Sequence, residues 1–129
     1  MMPNQFQAMA PRLLSLLRIV SALLFFAHGT QKILGFPASD MHPAMWSLPW
    51  IAGILELVGG GLLLIGLFSR PVAFILSGQM AVAYWIAHAP QSPYPSLNGG
   101  DAAILFCFVF LYIAAAGPGP WSVDAGRGR

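Results

Sequence analysis

The chain reads as four long apolar blocks separated by short breaks that contain proline and glycine. The blocks run over 13–34, 50–68, 71–89 and 101–116. A helix that crosses a bilayer needs about 20 apolar residues at about 1.5 Å each, so each block predicts a span. The fourth is short for a full crossing, although Ala102–Ala116 carries no charge. Gly35-Phe36-Pro37, the segment from Ala89-Pro90 to Pro95, and Gly117-Pro118-Gly119-Pro120 all stop helices. Ser69-Arg70-Pro71 is so short a connection that spans two and three are expected to form an antiparallel hairpin. Pro71 suits the first turn of the third helix, where no backbone N–H is needed. Asn98 or Asp101 is placed to cap the fourth. The first block is too long for the apolar region of a cleaved signal peptide. It carries Arg18, no small-x-small site follows it, and it is expected to be retained. With no repeat or long linker, residues 1–129 are read as one all-α domain, an antiparallel four-helix membrane bundle.

Composition supports that reading. Of 129 residues 57% are hydrophobic and only 8% charged, and the mean hydropathy is +0.72. A soluble domain carries roughly 25% charged residues, and a small one has the most surface to cover per residue. The chain is therefore an integral membrane protein or a subunit enclosed in a larger complex. Cys107 is the single cysteine, which excludes an intrachain disulfide, a CxxC redox pair and a zinc knuckle. A net charge of +2, dispersed along the chain, argues against nucleic acid. Four spans place Arg12, Arg70, Arg127 and Arg129 on one side and Lys32, Asp40, His42, His88 and Asp101 on the other. The positive-inside rule then puts both termini in the cytoplasm. Trp46, Trp50, Tyr84, Trp85 and Tyr94 would gather at the outer interface and Trp121 at the inner one.

Against this background the ionisable residues within spans carry the information, because each costs roughly 2.5–3.5 kcal/mol to place at a helix centre. Glu56 lies about 10 Å below the outer end of its helix by the rise per residue. Gly53, Glu56 and Gly60 share one broad helix face, where small residues let a second backbone approach. His28 lies at nearly the depth of Glu56, and Lys32 follows one turn later. His88 ends the third span and Asp101 begins the fourth. These five residues are expected to form a polar cluster in the outer half of the bundle. Arg18 sits lower, where it either snorkels to inner headgroups or pairs within the bundle. Glu56 and His28 are the candidate proton carriers; Lys32, His88, Asp101 and Arg18 are candidate binding residues. Each also has a purely structural reading: an ion pair for Glu56 and Lys32, interfacial hydrogen bonding for the histidines, a helix cap for Asp101. His28 and His88 are offset by more than a turn, which disfavours bis-histidine haem. No metal-ligand spacing appears, Gly59-Gly60-Gly61 is a packing surface, and Cys107 is a small hydrophobe.

Several motifs recur in one order. They are Leu17-Arg18 with Ala27-His28-Gly29-Thr30-Gln31-Lys32, Gly53-x-x-Glu56-x-x-Gly59-Gly60 ending in Gly66-Leu67-Phe68-Ser69-Arg70, and Asn98-Gly99-Gly100-Asp101. Gly117-Pro118-Gly119-Pro120-Trp121-Ser122-Val123-Asp124 closes the series. Together they resemble the DoxX family of small bacterial inner-membrane proteins over nearly the whole chain, with Asp101 where that family often has Glu. The resemblance implies a four-helix membrane bundle and a link to redox chemistry. The family's namesake is tied to a thiosulfate:quinone oxidoreductase, and other relatives are described as oxidoreductases or as partners of soluble redox-defence enzymes. Two functions follow as expectations. One is a component of a quinone-linked oxidoreductase system, in which the cluster holds a quinone or small reductant. The other is a non-catalytic membrane anchor or scaffold for a protein partner or a second copy. No intrinsic cofactor motif is present.

Overall fold

The computed structural model describes residues 4–40 and 42–127; Arg129 lies outside them. Four long helices dominate: α1 (Ala10–Leu34), α2 (Leu48–Ile65), α3 (Ser69–Ala83) and α4 (Asp101–Ala116). Short helical turns occur at Asn4–Gln7, Pro95–Asn98 and Val123–Gly126, and no strand occurs among the described residues. The helix ends follow from local chemistry. Ser47 accepts from the Trp50 N–H at 3.4 Å and so starts α2 two residues before the apolar block does. Gly66, at φ 75°, ends α2 by returning its N–H to the carbonyls of Leu62 and Leu63. Leu67 and Phe68 thus leave the helix, and α3 starts at Ser69 rather than Pro71. At its far end α3 continues as a π-helical turn, Tyr84–His88, and a 3₁₀ turn, Ala89–Gln91. Ser69–Gln91 is thereby long and apolar enough to cross a membrane, as are α1 and α2.

The expected cap on α4 is different in detail. Gly100 occupies the N-cap position, and no side chain caps the helix. Asn98 instead accepts from the Gly100 N–H at 2.8 Å, one step before the helix begins. Asp101 stands in the first turn, exposed. By its rise α4 spans about 24 Å, against a hydrocarbon core of about 30 Å.

Packing divides the bundle into two pairs. The tight α2–α3 turn suggests that those two helices pack along their length, yet the close partners are α1 with α2 and α3 with α4. Glycine explains the first pair. A Cβ at Gly29 would lie 2.6 Å from the Leu57 backbone nitrogen, and one at Gly60 would lie 3.1 Å from the Cα of Phe26. Neither neighbour can rotate away, so only a bare backbone permits this approach. Small residues on α3 and α4, Ala73 and Ala103, are buried in the second pair. There Ser77 donates to the Cys107 carbonyl at 2.7 Å. Phe25 joins the pairs, meeting Phe106 and Phe110 edge-on at 5.5 and 5.1 Å. Most other large apolar side chains, such as Leu23, Leu24, Phe74 and Phe108, remain exposed on the outside, as contact with lipid requires.

Candidate functional site

The polar residues gather at two opposite ends of the bundle. At the end that holds the 35–47 and 89–100 connections, Lys32 in the last turn of α1 donates to Glu56 Oε2 at 2.9 Å. Glu56 itself is only 3% exposed. Gln79 of α3 reaches across to donate to the same oxygen at 3.3 Å and to the Ala52 carbonyl at 3.4 Å. Since both acceptors need an N–H, these contacts fix the Gln79 amide with its nitrogen toward α2. Its oxygen, and Glu56 Oε1, are buried without a hydrogen-bond partner.

These groups stand on the wall of a cleft of about 870 Å³ between the two helix pairs. Phe25 and Phe106 contribute aromatic surface, while Gln31, Lys32, Glu56, Gln79 and two histidines supply the polar groups. Exposed Ile51 and Leu55 of α2 and Ile75 and Val82 of α3 flank it on the lipid side. Both histidines are oriented by backbone carbonyls: His28 Nδ1 meets Leu24 O, and His88 Nδ1 meets Asn98 O, each at 3.0 Å. A carbonyl only accepts, so Nδ1 carries a hydrogen in both rings. Asn98 holds His88 in turn through its own bonds to Tyr84 Oη at 3.1 Å and Ser92 O at 2.9 Å. Tyr84 and His88 lie in the π-helical turn with their rings stacked at 6.4 Å.

At the other end, buried Arg18 donates to the Pro118 carbonyl, to Trp121 O at 2.7 Å and to Leu64 O at 3.5 Å. Ser15 Oγ donates to Pro118 O at 3.3 Å and accepts from the Trp121 N–H at 3.1 Å. Asp124 then accepts from the backbone N–H groups of Phe68 and Ser69 at 2.9 and 2.8 Å, at the N-terminus of α3. A carboxylate there also meets the positive end of the helix dipole. The same carboxylate acts on Arg18 as an opposite charge. The segment after α4 is thus folded across the bundle end and fastened to α1, α2 and α3.

Of the residues singled out from sequence, Lys32, Glu56, His28 and His88 line the one cleft. Asp101 is not among its lining residues, and Arg18 belongs to the opposite end. Gln79 and Ser15 are not singled out by the sequence, while Asn98 is expected there only as a helix cap and Asp124 only as part of the closing motif. Gln79 carried a signal, because it is the amide in the third apolar block. Among the described residues no group of three or more His, Cys, Asp or Glu side chains is placed to hold a metal ion.

Apolar helices of spanning length, with a largely apolar cleft between them that carries a few polar groups, define a small multi-pass membrane protein. The DoxX family model matches residues 13–89, and the chain belongs to the DoxX family. An uncharacterised protein of Haemophilus influenzae is 40% identical over 127 residues, covering 94% of this chain and 95% of that one. The inner membrane protein YphA of Escherichia coli is 28% identical over 131 residues, covering 92% and 93%. No solved structure matches. The protein is accordingly a multi-pass protein of the bacterial inner membrane, in contact with the lipid bilayer.

Proposed function

We propose that this DoxX-family protein is the membrane component of a quinone-linked oxidoreductase system and holds a lipophilic redox molecule in its cleft. The observation that carries the reading is the position of the mouth. Aliphatic side chains exposed on the lipid side flank it, so a ligand enters from the bilayer. Apolar walls with a few convergent polar groups are what such a ligand requires. In this reading Lys32 and His88 hold the head of the molecule, while Glu56 and His28 exchange protons with it. Arg18 and Asp101 stand outside the cleft and take no part.

Purification in mild detergent, with extraction of bound lipids and mass spectrometry, tests the proposal. A co-purifying quinone is expected, and Gly78→Phe should expel it, because a side chain at Gly78 enters open space beside the cleft. Glu56→Gln should lower quinone-coupled turnover of membranes; full turnover removes the proton role. The second reading is a non-catalytic anchor or scaffold for a redox or stress-related partner. It is favoured by the Lys32–Glu56 pair, which already occupies one carboxylate oxygen and joins α1 to α2. Failure of the Glu56→Gln protein to accumulate would support it.

A further inference from the structure

Around Glu56 the hydrogen-bonding groups on the cleft wall are not balanced between donors and acceptors. Two donor side chains, Lys32 and Gln79, converge on Glu56 Oε2. That leaves Glu56 Oε1 and Gln79 Oε1 as buried oxygens with lone pairs and no partner. His28 and His88 commit their Nδ1 hydrogens to backbone carbonyls, so neither ring offers a ligand a donor from that atom. A buried acceptor left unmade is costly, and more so for a carboxylate oxygen. Lys32 and Glu56 cancel in charge, so a neutral guest is favoured over an ion.

We infer that the cleft selects the reduced, hydroxyl-bearing form of its ligand: a lipophilic hydroquinone rather than the corresponding quinone. The inference rests on the cleft being the ligand site proposed above. A phenolic hydroxyl donates to Glu56 Oε1 while its own oxygen accepts from Lys32. A quinone carbonyl only accepts, so it engages Lys32 and leaves both orphan oxygens unsatisfied. Phe25 and Phe106 on the same wall suit the flat ring that carries the hydroxyls. The same geometry predicts an inversion. In Glu56→Gln, the two donors that meet at Oε2 hold the new amide oxygen there. The amide nitrogen must then take the place of Oε1 and present hydrogens instead of lone pairs.

The test is anaerobic equilibrium dialysis of the full chain in nanodiscs against decylhydroquinone, decylbenzoquinone and the dimethyl ether of the hydroquinone. The wild-type protein is expected to bind the hydroquinone about tenfold more tightly than either other probe, the worth of one hydrogen bond to a buried charged acceptor. Glu56→Gln is expected to reverse the order of hydroquinone and quinone. Equal or tighter wild-type binding of the quinone, or of the ether, overturns the inference while the cleft remains a ligand site. Retained hydroquinone preference in a folded Glu56→Gln protein also overturns it. If no probe binds to protein that is folded by circular dichroism, both the inference and the underlying site reading fail. Should the variant not accumulate, the three probes on the wild-type protein still decide the question.

Discussion

Arg18 offers the sharpest test of what holds the bundle together. The residue is 1% exposed, and its guanidinium reaches carbonyls on two separate segments, Leu64 on α2 and Pro118 and Trp121 beyond α4. Neutral hydrogen bonds between membrane helices average only about 0.6 kcal/mol. A charged donor changes the scale, at roughly 1.5–3 kcal/mol per bond. The contacts to Pro118 and to Trp121, the latter at 2.7 Å, are each counted as one charge-assisted hydrogen bond. Arg18→Met keeps the apolar stem and removes the fork, so the expected loss is about 3–5 kcal/mol. The 3.5 Å contact to Leu64 adds little. Arg18→Lys should recover less than half of the loss, because an ammonium on a shorter stem does not span carbonyls as a planar fork does. The assay is reversible unfolding in mixed micelles followed by circular dichroism, with limited proteolysis reporting release of the segment after Gly117. A loss below about 1 kcal/mol for Arg18→Met, on the scale of an ordinary neutral bond, would refute the assignment. Full recovery by Lys would refute the geometric part alone.

Asp124→Ala, which removes the carboxylate bound by two backbone N–H groups, should destabilise by about 2 kcal/mol in the same assay, at the upper end of helix-cap losses. Asp124→Asn, which keeps one acceptor oxygen, is expected to fall between that variant and wild type. Gly29→Ala should cost about 1–3 kcal/mol, because the added methyl meets the backbone of α2 at 2.6 Å. Gly78→Ala, with nothing within 4 Å, should instead be neutral or mildly stabilising. Phe25→Ala opens the junction of the two helix pairs and should cost about 3–5 kcal/mol. Both termini are expected to face the cytoplasm; single cysteines at Ala8 and Ala125, in a Cys107→Ser background, should resist an impermeant thiol reagent in intact cells.

The spans were legible because lipid demands long uncharged runs, and α4 matches its block at both ends. Boundaries moved where backbone geometry overrides hydropathy, as when Gly66 turns Leu67 and Phe68 out of α2 despite their apolar character. Helix pairing was hidden. A short α2–α3 connection suggests close packing, but the glycine seam of Gly29 and Gly60 draws α1 to α2 instead. Depth alone brought Lys32 and Glu56 together, since the rise per residue is fixed. Depth also separated Arg18 from them, but its partners are backbone carbonyls about a hundred residues away, which side-chain identity does not reveal. Gln79 was overlooked because an uncharged amide hardly interrupts an apolar run.

The fastening of the Gly117–Gly126 segment bears on how the protein is made. Arg18 enters the bilayer with the first helix, while the Pro118 and Trp121 carbonyls that receive its hydrogens are synthesised 100 and 103 residues later. Asp124 reaches the start of α3 after a delay of more than fifty residues. Until then a guanidinium and a helix N-terminus wait without these partners, although every apolar span has been made. A nascent chain stalled at Ala116 would therefore contain all of its membrane helices and still lack the contacts that close one end of the bundle.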